Sequence, residues 1–138
     1  MKTIVIAYDD TEPARLALRE AAELTEALSA RLIVVTVVRL DDAAGPGESA
    51  TDSSGTSTEE LEPLERAKAF LAAKRIEATY QPAIGDPADS IVEVAEMNDA
   101  DLIVVGTRDP GAIQRLFGYS VSQGVLRRTH RNVLVVRR

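Results

Sequence analysis

Residues 101–106 read Asp-Leu-Ile-Val-Val-Gly, an apolar run rich in β-branched residues that ends on glycine. Three more runs of the same kind surround it: Ile4-Val5-Ile6-Ala7-Tyr8 within Thr3–Tyr8, LIVVTVV over Leu32–Val38, and VLVV within Asn132–Val136. Hydrophobic residues are nearly continuous in them rather than alternating. Strands covered by helices on both faces have this composition, whereas half-solvated antiparallel strands alternate. A weaker fifth strand is predicted over Glu77–Gln81, where Ala78 and Tyr80 alternate with polar neighbours, and it reads as an edge.

Helical patterns fill the intervals. Thr11-Glu12-Pro13 offers an N-cap followed by an acid and a proline in the first turn. Leu16, Ala17, Glu20, Ala21 and Leu24 then recur at helical spacing to about Ser29. A capping-box-like start at Ser57-Thr58-Glu59-Glu60 predicts a second helix to about Lys74, with Leu61, Leu64, Ala67 and Leu71 on one face. A third follows Gly85-Asp86-Pro87 with Ile91, Val92 and Ala95 inward, and a fourth spans about Ser120 to Arg128, carrying Val121, Val125 and Leu126. The order β-α-β-α-β-α-β-α-β predicts an α/β fold: a doubly wound five-stranded parallel sheet with helices on both faces. Ligands of such sheets bind beyond the carboxyl ends of the strands, where strand order reverses. That directs attention to the residues after Tyr8, Val37 and Gly106.

The chain has 138 residues, the length of one domain spanning 1–138. No apolar run reaches the length of about 20 residues that spans a bilayer, and no signal-peptide layout precedes the first strand. There is no cysteine, which excludes disulfides, thiol catalysis and thiolate metal sites and fits a cytoplasmic location. A net charge of −6 argues against general nucleic-acid binding. The charge is uneven: eight acids and no base lie between Asp41 and Glu65, and seven arginines against the single acid Asp109 lie from Arg108 to Arg138. The arginine excess is open to two readings, charges favourable at a helix C-terminus or a site that handles an anion. Residues 41–56 (DDAAGPGESATDSSGT) have no periodicity and are predicted to form a mobile acidic loop, either a passive excursion or a lid.

Two stretches could carry chemistry. Asp9, closing the first strand, can accept hydrogen bonds from a ribose or purine, and it can equally cap the helix that follows. Gly106-Thr107-Arg108-Asp109-Pro110-Gly111 and then Gly118-Tyr119-Ser120-Val121-Ser122 follow the fourth strand. Glycines there let backbone amides approach an anion, and a serine at a helix start adds a donor where the dipole favours negative charge. No Walker-type Gly-Lys-Ser/Thr is present. The one histidine, His130, falls between the last helix and strand, and no cluster suggests a nucleophile with its base or a metal site.

IVIAYD, ARLIVVTVV, ADLIVVGTR and SVSQGVLRRTHRNVLVV together resemble the universal stress protein family, over nearly the whole chain. The resemblance implies strand order 3-2-1-4-5, a homodimer through the last strand, and membership of either an ATP-binding or a non-binding group. In the binding group an acid and a valine lie against the adenosine, matching Asp9 and Val37, and phosphates sit on a Gly-x2-Gly-x9-Gly-Ser/Thr loop. Gly106 and Ser120 match its ends, with Val121 and Ser122 following. The middle glycine is Asp109 and the third is Tyr119; Gly118 falls one place early. A carboxylate at Asp109 adds like charge beside a polyphosphate, and Tyr119 blocks the close approach that glycine permits. Arg108 and Arg115 are the residues available to compensate.

The resulting expectation is a protein acting by dimerisation and association with an unidentified protein partner, without a membrane or nucleic acid. The dimer interface is expected along Val133, Leu134, Val135 and Val136, since an apolar edge strand left unpaired would aggregate. The ATP site is altered and weak or absent, so the cofactor is none or weakly bound ATP with Mg. Two alternatives remain: an ATP-binding regulatory switch, and a slow nucleotide-hydrolysing enzyme. No catalytic residue and no metal ligand is assigned.

Overall fold

The computed structural model describes residues 2–38, 58–107 and 121–137. The expected acidic loop 41–56 lies outside them. Among the described residues nine elements alternate: β1 (Thr3–Ala7), α1 (Glu12–Leu28), β2 (Arg31–Val38), α2 (Thr58–Ala73), β3 (Ala78–Ile84), α3 (Pro87–Met97), β4 (Leu102–Thr107), α4 (Val121–Arg128) and β5 (Asn132–Arg137). The strands form one sheet in the order β3-β2-β1-β4-β5, every pair parallel. Strand order reverses between β1 and β4, the first place to look for a ligand.

Continuous apolar strands are explained by two cores, one on each face. Ile4, Ile6, Leu32, Val34, Leu102 and Val104 pack with Ala17, Leu18 and Ala21 of α1 and Leu64, Ala67 and Leu71 of α2. The alternate residues Val5, Ile33, Val35, Ile103 and Val105 pack with Ala88, Ile91, Val94 and Ala95 of α3 and Val125 of α4. Both sets of side chains are shielded, so neither face tolerates polar alternation.

The residues of α1 that recur at helical spacing are not all on its buried face. Ala14, Ala17, Leu18, Ala21, Ala22 and Thr25 are buried, whereas Leu16 and Leu24 are half-buried and Glu20 is exposed. The helix is turned so that its alanines meet the sheet, and small side chains allow it to lie close. α3 buries Val94 beside Ile91 and Ala95, and Val92 is only half-buried; Leu126 of α4 is exposed. β3 is an edge strand as expected but runs three residues further than the pattern indicated, through Pro82, which pairs with Thr36. Proline lacks a ladder donor and is tolerated in a strand chiefly at an edge, so it hid the strand's second half.

Two polar ties fix the amino end of the sheet. The Asp101 carboxylate accepts from the backbone N–H groups of Lys2 (2.8 Å) and Thr3 (2.9 Å), joining the starts of β4 and β1. Arg131, just before β5, donates to both carboxylate oxygens of Glu96, to Asp99 and to the Ala100 carbonyl. A guanidinium fork suits such a cluster at a helix C-terminus. Arg128 pairs with Asp89 of α3. Of the two readings of the C-terminal arginines, these two follow the first: they bind carboxylates of the fold.

Candidate functional site

β1 leaves the sheet under tight control. The Tyr8 N–H donates to the Val35 carbonyl at 2.8 Å, and the Thr36 hydroxyl donates to the Tyr8 carbonyl at 2.8 Å. The chain then turns through Asp10 at φ 64°, a left-handed conformation that Asp tolerates better than most residues. This turn delivers Thr11 as the N-cap of α1, with its hydroxyl accepting from the Ala14 N–H at 3.3 Å. Glu12 and Pro13 fill the first turn, where proline's missing N–H costs nothing.

Asp9 stands exposed at this turn. Its Oδ1 accepts from the Thr11 hydroxyl at 2.6 Å and from the Thr11 N–H at 3.1 Å. Its Oδ2 has no partner among the described residues. The carboxylate is thus held on one side and open on the other; the cap of α1 is Thr11 rather than Asp9, which orders the turn just before the helix.

The register brings the other expected residues to the same edge. Ala7 pairs with Val35, so Val37 lies two positions beyond, at the level of Asp9. Ile6 pairs with Val104, so Gly106 stands at the level of Tyr8 on the other flank. Gly106 packs directly on α1: a Cβ built there would overlap the Pro13 carbonyl. Val121 and Ser122 open α4, Val121 half-buried against the α3-side core and Ser122 fully buried. Arg108, Asp109, Gly118, Tyr119 and Ser120 lie outside the described residues, as does Arg115.

One cluster at this edge was not anticipated. The Tyr8 hydroxyl donates to Asp10 Oδ1 at 2.8 Å, the Arg15 Nε donates to the same oxygen at 3.2 Å, and Arg66 of α2 pairs with Oδ2. Arg66 also reaches Glu62. Burial pulls the Asp10 carboxyl upward, but hydrogen bonds from Arg15, Tyr8 and Arg66 outweigh it and hold the group at about 2. Tyr8 is pushed up to about 12, first by burial and then by donating to that carboxylate. Among the described residues two acids, Asp10 and Glu62, face two arginines, Arg15 and Arg66, so their charges balance, and the cluster ties α2 to the β1–α1 turn. Asp10 and Arg15 share a helix-start pattern readable in sequence, but nothing local announces Arg66, 56 positions away from Asp10.

His130 is exposed between α4 and β5 and joins no cluster at this edge. Among the described residues no group of three or more His, Cys, Asp or Glu side chains could hold a metal ion, and no helix is long and apolar enough to cross a membrane.

Comparison with known proteins gives the family. Residues 1–137 match the sequence profile of the universal stress protein family. A universal stress protein of Thermus aquaticus is 35% identical over 139 residues, covering 99% of this chain and 98% of its own. One from Methanocaldococcus jannaschii is 30% identical over 140 residues, with 99% and 82% covered. Among solved structures, a universal stress protein in complex with cAMP is 26% identical and superposes with a TM-score of 0.74 over 98% of this chain and 96% of that one. A universal stress protein from Archaeoglobus fulgidus superposes at 0.72 with 24% identity over 99% and 93%, a likeness of fold. With the 3-2-1-4-5 sheet and an acid closing β1, the chain belongs to the universal stress protein family.

Proposed function

We propose that this protein works by association, as a homodimer joined along β5, and that the carboxyl edge of its sheet takes an adenine nucleotide with one phosphate better than ATP. The observation that carries the nucleotide reading is Asp9, pinned through Oδ1 and open through Oδ2 at the strand-order reversal. A fixed acceptor flanked by Val37 suits the adenosine half of a nucleotide, polar on one side and apolar on the other. A relative of the same fold was crystallised with cAMP, which carries a single phosphate. The altered loop points the same way. Asp109 and Tyr119 occupy the places of two phosphate-loop glycines, and each burdens a polyphosphate more than a monophosphate.

Titration calorimetry with AMP, cAMP and ATP, with and without magnesium, tests this reading. AMP or cAMP is expected to bind more tightly than ATP, and Asp109→Gly with Tyr119→Gly should raise ATP affinity. Tighter binding of ATP by the unaltered protein would overturn the preference, and heat from none of the three would remove the nucleotide from the proposal.

Association is supported by the two sheet edges. Val133, Leu134, Val135 and Val136 are all only half-buried, although alternate members face the two cores. The other edge, β3, carries Pro82, which interrupts any added ladder. Pairing through β5 covers apolar surface where pairing through β3 would meet a proline. Val135→Lys should convert the dimer to monomer by light scattering, and an unchanged dimer mass would rule out this interface. In this proposal the protein binds rather than turns over its ligand; hydrolysis of ATP abolished by Asp9→Ala would establish the enzymatic alternative instead.

A further inference from the structure

We infer that Thr11 is a positioning residue: its one hydroxyl both caps α1 and fixes the Asp9 carboxylate so that Oδ2 faces the ligand. The inference rests on the nucleotide reading above. The hydroxyl has one proton and two lone pairs, and the geometry uses both functions. It donates to Asp9 Oδ1 at 2.6 Å, a short charge-assisted bond, while it accepts from the Ala14 N–H at 3.3 Å. Because the Ala14 N–H belongs to the first turn of α1, the hydroxyl oxygen cannot swing without uncapping the helix. Asp9 therefore inherits the rigidity of the helix start, even though its own side chain is exposed.

The consequence is preorganisation. An exposed aspartate normally samples several rotamers, and a ligand that needs one of them must supply the ordering free energy. With Oδ1 held by the Thr11 hydroxyl and N–H, the free oxygen has one place to be, ready for an O–H or N–H donor of the ligand. The adjacent cluster on Asp10 fixes the turn from its other side through Arg15 and Arg66, so the backbone beneath Asp9 is braced as well.

Capping and positioning are separable by substitution. Serine keeps both functions. Aspartate is a strong N-cap but has no proton to donate, and glycine is a tolerable, uncharged cap that also lacks the donor. AMP is titrated into the unaltered protein, Thr11→Ser, Thr11→Asp and Thr11→Gly, and thermal midpoints are recorded in parallel. Thr11→Ser should bind as the unaltered protein does. Thr11→Asp and Thr11→Gly should both bind about ten-fold more weakly, the loss of one hydrogen bond to a charged group, with Thr11→Asp keeping its thermal midpoint. Normal affinity in Thr11→Gly would overturn the inference, including the case where Thr11→Asp alone is weakened by charge repulsion. Absence of AMP binding by the unaltered protein would overturn the nucleotide reading and this inference with it.

Discussion

Gly106 and Pro13 touch so closely that no side chain fits between them: a Cβ on Gly106 would overlap the Pro13 carbonyl and come within 3.1 Å of the Pro13 Cβ. β4 and the first turn of α1 are thereby brought together at the strand-order reversal. The glycine matched to the start of the family's phosphate loop is thus required by helix–sheet packing before any ligand is considered. Gly106→Ala should lower stability by about 2 kcal/mol or more, since overpacking against backbone cannot be relieved by a rotamer change. Urea denaturation reads this directly, and an unchanged midpoint would show that α1 moves aside freely.

The Asp10 cluster predicts an acid-sensitive fold. Asp10 is lowered from an ordinary 3.8 to about 2, so its contribution is full above the unfolded value and is lost as pH falls through the folded one. Glu96, lowered chiefly by Arg131, and Asp101, lowered by the N–H groups of Lys2 and Thr3, act in the same direction. Stability should hold from neutral pH to about pH 4 and fall between there and about pH 2. Asp10→Asn keeps a residue that tolerates the left-handed turn and should reduce this fall. Equal pH slopes for both proteins would show that Asp10 titrates alike folded and unfolded.

Arg131 should be intolerant of shortening. It spans Glu96, Asp99 and the Ala100 carbonyl, tying the end of α3 to the start of β5. Arg131→Ala is expected to lower the thermal midpoint by several degrees, and Arg131→Lys to recover only part of that, because an ammonium cannot reproduce the bidentate fork. Full recovery by lysine would mean that charge alone matters there.

Thr25 offers a stabilising change. Its hydroxyl is buried on the sheet-facing side of α1 with no hydrogen-bond partner among the described residues. Thr25→Val replaces it with a methyl of similar shape and should add roughly 0.5–2 kcal/mol, the usual cost of a buried polar group without a partner. A lower urea midpoint in the variant would reveal a partner for the hydroxyl.

Much of this was legible in the sequence because the deciding signals are local. The β-branched runs of β1, β2, β4 and β5, and the caps Thr11 and Asp86, each depend on a few adjacent residues. The strand order itself came from resemblance to the family. β3 outruns its sequence signal because Pro82 looks like an end when it is an edge residue, and the buried face of α1 is hard to read because its alanines carry little weight in a hydrophobic count. The strand pattern is enough to place Asp9 and Val37 at one edge of the sheet, but the different surroundings of the two Asp9 oxygens depend on where Thr11 turns. Arg66 could not be found, because only the folded sheet brings α2 over the β1–α1 turn.

The central strand of the sheet, β1, is made before either of its neighbours. β1 finds β2 soon after it emerges, yet its other neighbour, β4, pairs Leu102 with Ile4, about a hundred positions later. At ribosomal speeds of about 5–20 residues per second, one side of β1 stays unsatisfied for roughly 5–20 s. During that interval Ile4-Val5-Ile6 presents a bare, sticky margin to every other nascent chain. Docking of α1 on Ile4 and Ile6 would cover one face of the strand in that interval, whereas the Val5 face and the β4-side margin wait for residues made much later.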